Sequence, residues 1–168
     1  MHRLILMRHA SAERVPGPGR DRDRPLSVAG RLDAARMGRA LAARGLRPDR
    51  ALVSSATRTS ETWDLLHDAL GDVEVRHEPA LYNAGSDVLR RFVEASEDEV
   101  GCLMVVAHNP GIHLLAVEYL IESAASPSIL DRLSGGFEPA SVAIFTVDAA
   151  GRCTWEGLLE PGIVGDRE

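Results

Sequence analysis

Lysine is absent: all 19 basic side chains of this 168-residue chain are arginine. Schiff-base lysine chemistry and a P-loop lysine are therefore excluded. The arginine surplus fits a genomic composition bias, so no arginine is singled out by its type alone. Cysteine is scarce. Cys102 and Cys153 are too few and too far apart for a disulfide framework or a zinc cluster, and Cys102, at the edge of an apolar run, reads as a buried thiol. Long apolar runs are missing as well. None approaches a membrane span, and the run Leu4–Met7 is far shorter than a signal-peptide core and carries its charge at the wrong end. Positive charge is not in excess either: the net charge is −6, which argues against a general nucleic-acid or anionic-membrane surface. The expectation is a cytoplasmic protein with neither nucleic-acid nor membrane partners; its oligomeric state is left open.

What is present is ordinary for a globular fold, with 45% apolar and 26% charged residues in a length suited to one domain over 1–168. The stretch Leu4-Ile5-Leu6-Met7-Arg8-His9 is a short apolar run closed by a cation and an imidazole. Its length and branching suit a buried parallel strand. Ligands of open α/β sheets bind beyond the carboxyl ends of the strands, which is where Arg8 and His9 fall. An arginine fork matches phosphate oxygens, and an imidazole can carry a covalent intermediate. The bland alternative is two polar residues closing a strand.

Further along, residues 13–24 form a long Pro-, Gly- and charge-rich loop. Ser27 caps a helix with Leu32, Ala35, Met37, Ala40 and Leu41 on its apolar face, ended by Gly45. Ala51–Val53 is a second strand. The hydroxyl cluster after it supplies caps for a helix running to Gly71, with Arg58 in the turn or first helical turn. A cation there conflicts with the positive helix N-terminus, and a bound anion would relieve the conflict; the alternative is a solvated surface arginine. Val73–Val75 is a weak strand, 78–85 a loop, and 87–95 a helix capped by Ser86. Cys102–Ala107 is the clearest buried strand, and it too ends in a histidine, His108, followed by Asn109-Pro110-Gly111 and a helix over 112–120. Two such strands side by side bring His9 and His108 into one pocket. His113 reads as a helix-surface or packing residue. Residues 123–138 are loop-like with one turn of helix at 129–133, a hairpin over 141–158 follows, and the chain is expected to fray from Pro161.

With these residues in hand, the sequence resembles the histidine phosphatase superfamily, whose fold is that of phosphoglycerate mutase. Leu6-Met7-Arg8-His9-Ala10 is similar to its Arg-His-Gly strand end, with alanine for glycine. Asp21 to Gly30 resembles D-x-x-R-P-L-[ST]-x-x-G, Ser54 to Thr62 resembles S-S-x-x-R-[AT]-x-x-T, and Val105 to Pro110 resembles the second-histidine segment. The short length and the His-Asn-Pro-Gly form look most like the SixA-type phosphohistidine phosphatase branch. The resemblance implies an α/β three-layer sandwich, its central sheet mixed but mostly parallel and flanked by helices. It also implies no separate cap domain and one antiparallel strand, expected in the C-terminal hairpin.

The implied chemistry needs no cofactor and no metal. His9 attacks phosphorus and is phosphorylated, then water releases phosphate, while Arg8, Arg58 and His108, with Asn109 beside them, bind the phosphoryl oxygens. His9 needs one nitrogen unprotonated, with the other donating to an acceptor such as a backbone carbonyl; His108 is expected as imidazolium, favoured by the phosphate it binds. The family acid is a carboxylate in a Leu-x-Glu context, where Leu81-Tyr82-Asn83 has asparagine. Glu78 is the possible general acid, with a solvated loop charge the preferred reading of it, and Asp87 follows downstream. A missing acid favours phosphohistidine, whose imidazole leaves more readily than an alkoxide. The substrate is thus a phosphorylated protein or a small phosphate compound. The leading function is dephosphorylation of phosphohistidine in a protein. The alternatives are a small-molecule phosphomonoesterase using Glu78 or Asp87, and a non-catalytic phosphate-binding interaction module.

Overall fold

Leu4, Ile5, Leu6 and Met7 are all fully buried because the strand they form, β1 (Arg3–Arg8), is covered on both faces. The computed structural model describes residues 1–14 and 19–164. Its other elements are α1 (Val28–Ala43), β2 (Arg50–Ser54), α2 (Thr57–Leu70), β3 (Glu74–Glu78), α3 (Ser86–Ala95), β4 (Cys102–Ala107), α4 (Gly111–Glu122), α5 (Pro127–Ser134), β5 (Val142–Val147) and β6 (Cys153–Leu159). They build one six-stranded sheet in the order β3-β2-β4-β1-β5-β6. The first four strands in that order are mutually parallel, whereas β5 runs antiparallel to both β1 and β6. The sheet is therefore mixed, and its antiparallel member lies in the hairpin, as the resemblance implied.

Strand periodicity sorts the core into two layers. Leu4, Leu6, Leu103 and Val105 join Leu89, Ile112, Leu115 and Phe145 on one face. Ile5, Met7, Met104 and Val106 join Met37, Leu41, Trp63 and Leu66 on the other. Each such side chain taken fully from water contributes roughly 1.5–3 kcal/mol. The sheet's central position thus fixes β1 and β4 as neighbours, with Arg8 registered opposite Ala107.

Several expectations need correction. Leu32 points to solvent (54% exposed), because the buried stripe of α1 runs through Ala34, Met37, Gly38 and Leu41. The N-cap of α2 is Ala56, with no side-chain cap, since the neighbouring hydroxyls are used elsewhere. Ser86 is the first residue of α3 rather than its cap; its hydroxyl donates to Glu118. β3 extends to Glu78, drawn out by pairing with β2. Residues 127–134 form a full helix instead of one turn. Pro161–Val164 is a hydrogen-bonded turn with Val164 packed on the core, so the expected fraying has no counterpart there, and 165–168 lie outside the described residues.

Candidate active site

β1 and β4 end side by side, and the residue after each is a histidine. The rings of His9 and His108 lie 5.3 Å apart between centroids, and both are buried. His9 Nδ1 is 2.7 Å from the Ala10 carbonyl oxygen. A carbonyl can only accept, so Nδ1 carries the proton and Nε2 keeps its lone pair. Burial, helped by the guanidinium groups of Arg58, Arg8 and Arg24, pushes His9 down to about 4 and outweighs the opposing pull of the Ala10 hydrogen bond. The ring is therefore neutral at pH 7.

His108 Nε2 lies 2.6 Å from Ser54 Oγ. Ser54 Oγ can donate to Nε2 or accept from it; where it donates, His108 carries its proton on Nδ1, which is buried without a protein partner. Burial, then His9 and Arg58, push His108 down to about 3. Without an anion, the desolvated pocket and the neighbouring arginines favour the neutral ring; the imidazolium expected for His108 is that of the phosphate-bound pocket.

Arg8 donates through Nη1 to the Phe137 carbonyl at 3.1 Å, and Asn109 Nδ2 donates to the same oxygen at 2.9 Å. His113 packs behind this loop, stacked on Phe137 and bonded to the Leu133 carbonyl, which settles its reading as a packing residue. Arg8 Nε and Asn109 Oδ1 are buried without protein partners. Among the described residues, the buried side-chain polar atoms lacking a partner are these two and His108 Nδ1, and all three belong to this one site. Buried polar groups are normally satisfied. Three such orphans gather at one site, beside the paired histidines. Arg8 Nε is a donor that suits an anion, and so is His108 Nδ1 when Ser54 donates to Nε2.

Arg58 stands in the first turn of α2 and is buried, so its reading as a solvated surface residue fails. Its Nη1 donates to the Asp21 carbonyl at 2.9 Å and its Nη2 to Asp21 Oδ2 at 3.1 Å. The anion expected at this helix start is thus supplied partly by the protein. The Thr62 hydroxyl joins the two halves of the site: it accepts from Ala10 N and donates to the Arg58 carbonyl. The motif glycine Gly30 allows close approach of the first loop, since a Cβ there would lie 2.0 Å from the Ser11 carbonyl oxygen.

Glu78 closes β3 opposite Ser54, and among the described residues its carboxylate makes no hydrogen bond or ion pair. Asp87, on the first turn of α3, is exposed and pairs with Arg91. Asn83 sits in a left-handed turn (φ 49°). The residue that the sequence reading passed over is Tyr82. Its hydroxyl donates to Asp21 Oδ2 at 2.7 Å, and its ring stands edge-on to His108 at 5.6 Å. Ser54, Asp21 and Thr62 were legible as motif letters, but not as contacts. Among the described residues, no group of three or more His, Cys, Asp and Glu side chains is placed to hold a metal ion, and no helix is long and apolar enough to cross a membrane.

Comparison with known proteins agrees with this geometry. Residues 4–86 match the model of the histidine phosphatase superfamily (branch 1). An uncharacterized protein of Mycobacterium tuberculosis is 31% identical over 141 residues, which cover 84% of this chain and 87% of that protein. An uncharacterized chloroplastic protein of Arabidopsis thaliana is 28% identical, over 95% of this chain and 78% of its own length. In solved structures, a protein of Agrobacterium tumefaciens provisionally assigned as the phosphohistidine phosphatase SixA superposes with a TM-score of 0.85 and 28% identity, covering 95% of this chain and 98% of that one. The protein histidine phosphatase SixA complexed with tungstate shares the fold, with a TM-score of 0.79 at 21% identity over 97% and 99% of the two chains. The paired strand-end histidines, the buried arginines and these relatives together show that the chain belongs to the histidine phosphatase superfamily, has the fold of its SixA-type members, and carries the framework of a phosphatase.

Proposed function

We propose that the protein hydrolyses phosphohistidine in a protein substrate through a phosphohistidine intermediate at His9. The observation that carries this reading is the His9 imidazole, held neutral with Nδ1–H on the Ala10 carbonyl and Nε2 unprotonated, in a pocket with three unpartnered polar atoms. Nε2 attacks phosphorus in line, forming an N–P bond as the P–N bond to the substrate imidazole breaks. The Ala10 carbonyl stabilises the positive charge that develops on the attacking ring. Arg8 Nε–H, His108 Nδ1–H and the Arg58 guanidinium hold the nonbridging oxygens, whose charge is greatest in the transition state. A phosphate dianion draws His108 toward its protonated form, against the burial that keeps it neutral in the empty pocket. Water then cleaves the Nε2–P bond, releasing inorganic phosphate and restoring His9. No cofactor or metal takes part.

An imidazole leaving from phosphohistidine carries its own proton, so this reading requires no carboxylic acid. Asparagine at 83, where the family acid is a carboxylate, supports it. The names borne by the SixA-type relatives point to the same substrate class. In this reading residues 1–168 act as one domain without a cap, and the chain works in the cytoplasm. The protein substrate docks beside the loop of residues 13–24, of which 15–18 lie outside the described residues.

The test compares a phosphohistidine protein with p-nitrophenyl phosphate, using wild type, His9→Ala and Glu78→Gln. Preference for phosphohistidine, loss of activity in His9→Ala and an unaffected Glu78→Gln would uphold the proposal. Efficient ester cleavage that Glu78→Gln abolishes would make the protein a general phosphomonoesterase. Phosphate binding without turnover would make it an interaction module.

A further inference from the structure

We propose that Asp21, locked by the hydroxyl of Tyr82, is a positioning residue that fixes the Arg58 guanidinium for the phosphoryl group. The inference rests on the reading of Arg58 as a phosphate-binding residue and adds the device that holds it in place.

Arg58 is a buried cation at a helix start, where the partial positive charge of the first turn already disfavours it. It therefore needs an anion even with no substrate present. Among the described residues Asp21 is the carboxylate that pairs with it, 37 residues earlier in the chain. Asp21 takes two of the five guanidinium N–H donors, one through its main-chain carbonyl and one through Oδ2.

Asp21 is itself held. Tyr82 donates to the same Oδ2 at 2.7 Å, and Arg24 donates to Oδ1 at 2.9 Å. These partners keep its carboxyl down at about 2, so it stays ionised across the working pH range. Tyr82 in turn stands against His108 and faces the Arg58 guanidinium, whose carbon lies 5.8 Å from the ring centroid. Tyr82 is carried on a loop fixed from behind, because a Cβ at Gly111 would meet the Ala84 carbonyl oxygen at 1.9 Å. The chain of contacts thus ties the loop after β1, the loop after β3, the start of α2 and the end of β4 into one frame around the pocket.

A carboxylate beside a phosphate-binding arginine could instead be a competitor that blocks the site. The geometry favours an anchor. One of the two bonds comes from a backbone carbonyl, which cannot swing away as a gating charge would. Releasing Oδ2 would also break the Tyr82 bond along with the Arg58 bond. The two roles predict opposite signs.

The experiment measures tungstate binding, as a tetrahedral oxyanion, by calorimetry on wild type, Asp21→Ala, Tyr82→Phe and the double variant, so the readout does not depend on turnover. Removing the anchor is expected to weaken tungstate about tenfold in Asp21→Ala and about threefold in Tyr82→Phe, which keeps the ring. The double variant should bind no worse than Asp21→Ala alone, because both substitutions act through one oxygen, and a merely structural loss would add instead. Unchanged or tighter tungstate binding in folded Asp21→Ala, or additive losses in the double variant, would overturn the proposal. If Asp21→Ala does not fold, Tyr82→Phe decides: binding equal to wild type overturns the proposal, and a threefold loss with an unchanged Tm upholds it. The phosphatase reading fails separately, through undiminished phosphohistidine turnover in His9→Ala. Turnover that His9→Ala abolishes, with tungstate binding unmoved in the Asp21 and Tyr82 variants, would sink only this inference.

Discussion

Two arginines, at opposite ends of β2, are buried to nearly the same degree and differ in everything else. Arg50 opens the strand and is 6% exposed; Arg58 follows it into α2 and is 4% exposed. Arg50 is met by two carboxylates, through Nε to Glu74 at 3.0 Å and through Nη1 to Glu99, and these bonds raise its pKa. Arg58 is met by one, Asp21, which it shares with Arg24 and Tyr82. Around Arg50 the charge is balanced within the fold. Around Arg58 it is not: Arg8 is held below its ordinary range by burial and by Arg58 itself, and both histidines are driven neutral. A buried cation with carboxylate to spare is a structural joint. One with a deficit, in a pocket that also holds unpartnered polar atoms, leaves the charge balance that the proposed phosphate would complete.

The sharpest way to break this contrast is to remove each guanidinium in turn. Arg58→Ala should lower kcat/KM by about 10²–10³-fold, the scale of losing a donor to developing oxyanion charge, with a small change in Tm. Arg50→Ala should do the reverse, lowering Tm by about 3–6 °C and leaving activity per folded molecule intact. Thermal melts and steady-state kinetics on the two variants decide it; similar profiles would erase the distinction.

A substitution between the two regions gives a smaller effect. Thr62→Val leaves the Ala10 N–H and the Arg58 carbonyl without the hydroxyl that bridges them. Urea unfolding should show a loss of about 1–3 kcal/mol, accompanied by a modest fall in kcat.

The pH dependence sharpens the electrostatic side. The folded chain resists protonating His9 until about pH 4, whereas the unfolded chain takes that proton near the ordinary value of 6.5. The unfolded state therefore binds more protons between those limits. Stability contributed by the neutral ring is present above about pH 6.5 and is lost as pH falls toward 4. Denaturation at pH 7 and pH 4.5 should show a shallower acid loss in His9→Gln than in wild type. The smallest effect belongs to Glu78→Gln, expected to leave phosphohistidine turnover unchanged because its carboxylate engages no other described residue.

Much of this was legible in the sequence because it is written in local pattern. Apolar runs that end in histidine placed His9 and His108 at the ends of adjacent buried strands, and the cap chemistry of Ser27 and the turn at Gly45 bounded α1 as expected. Leu32 misled because a wide apolar pattern on a helix does not say which part of it the sheet covers. The neutrality of His108 without an anion was not legible, because it depends on burial and on arginines brought from two other segments, Arg8 and Arg58. Asp21 and Tyr82 stayed invisible for a related reason. Their partnership spans 61 residues of chain and depends on two loops meeting, which no periodicity encodes.

The most direct test of the central claim is to trap the intermediate. Wild-type protein is mixed with a phosphohistidine donor, quenched in base within the first turnover, and digested for mass spectrometry. The account predicts acid-labile phosphate on the peptide carrying His9 and none in His9→Ala. Turnover without phosphate at His9, or with phosphate at another residue, would contradict it.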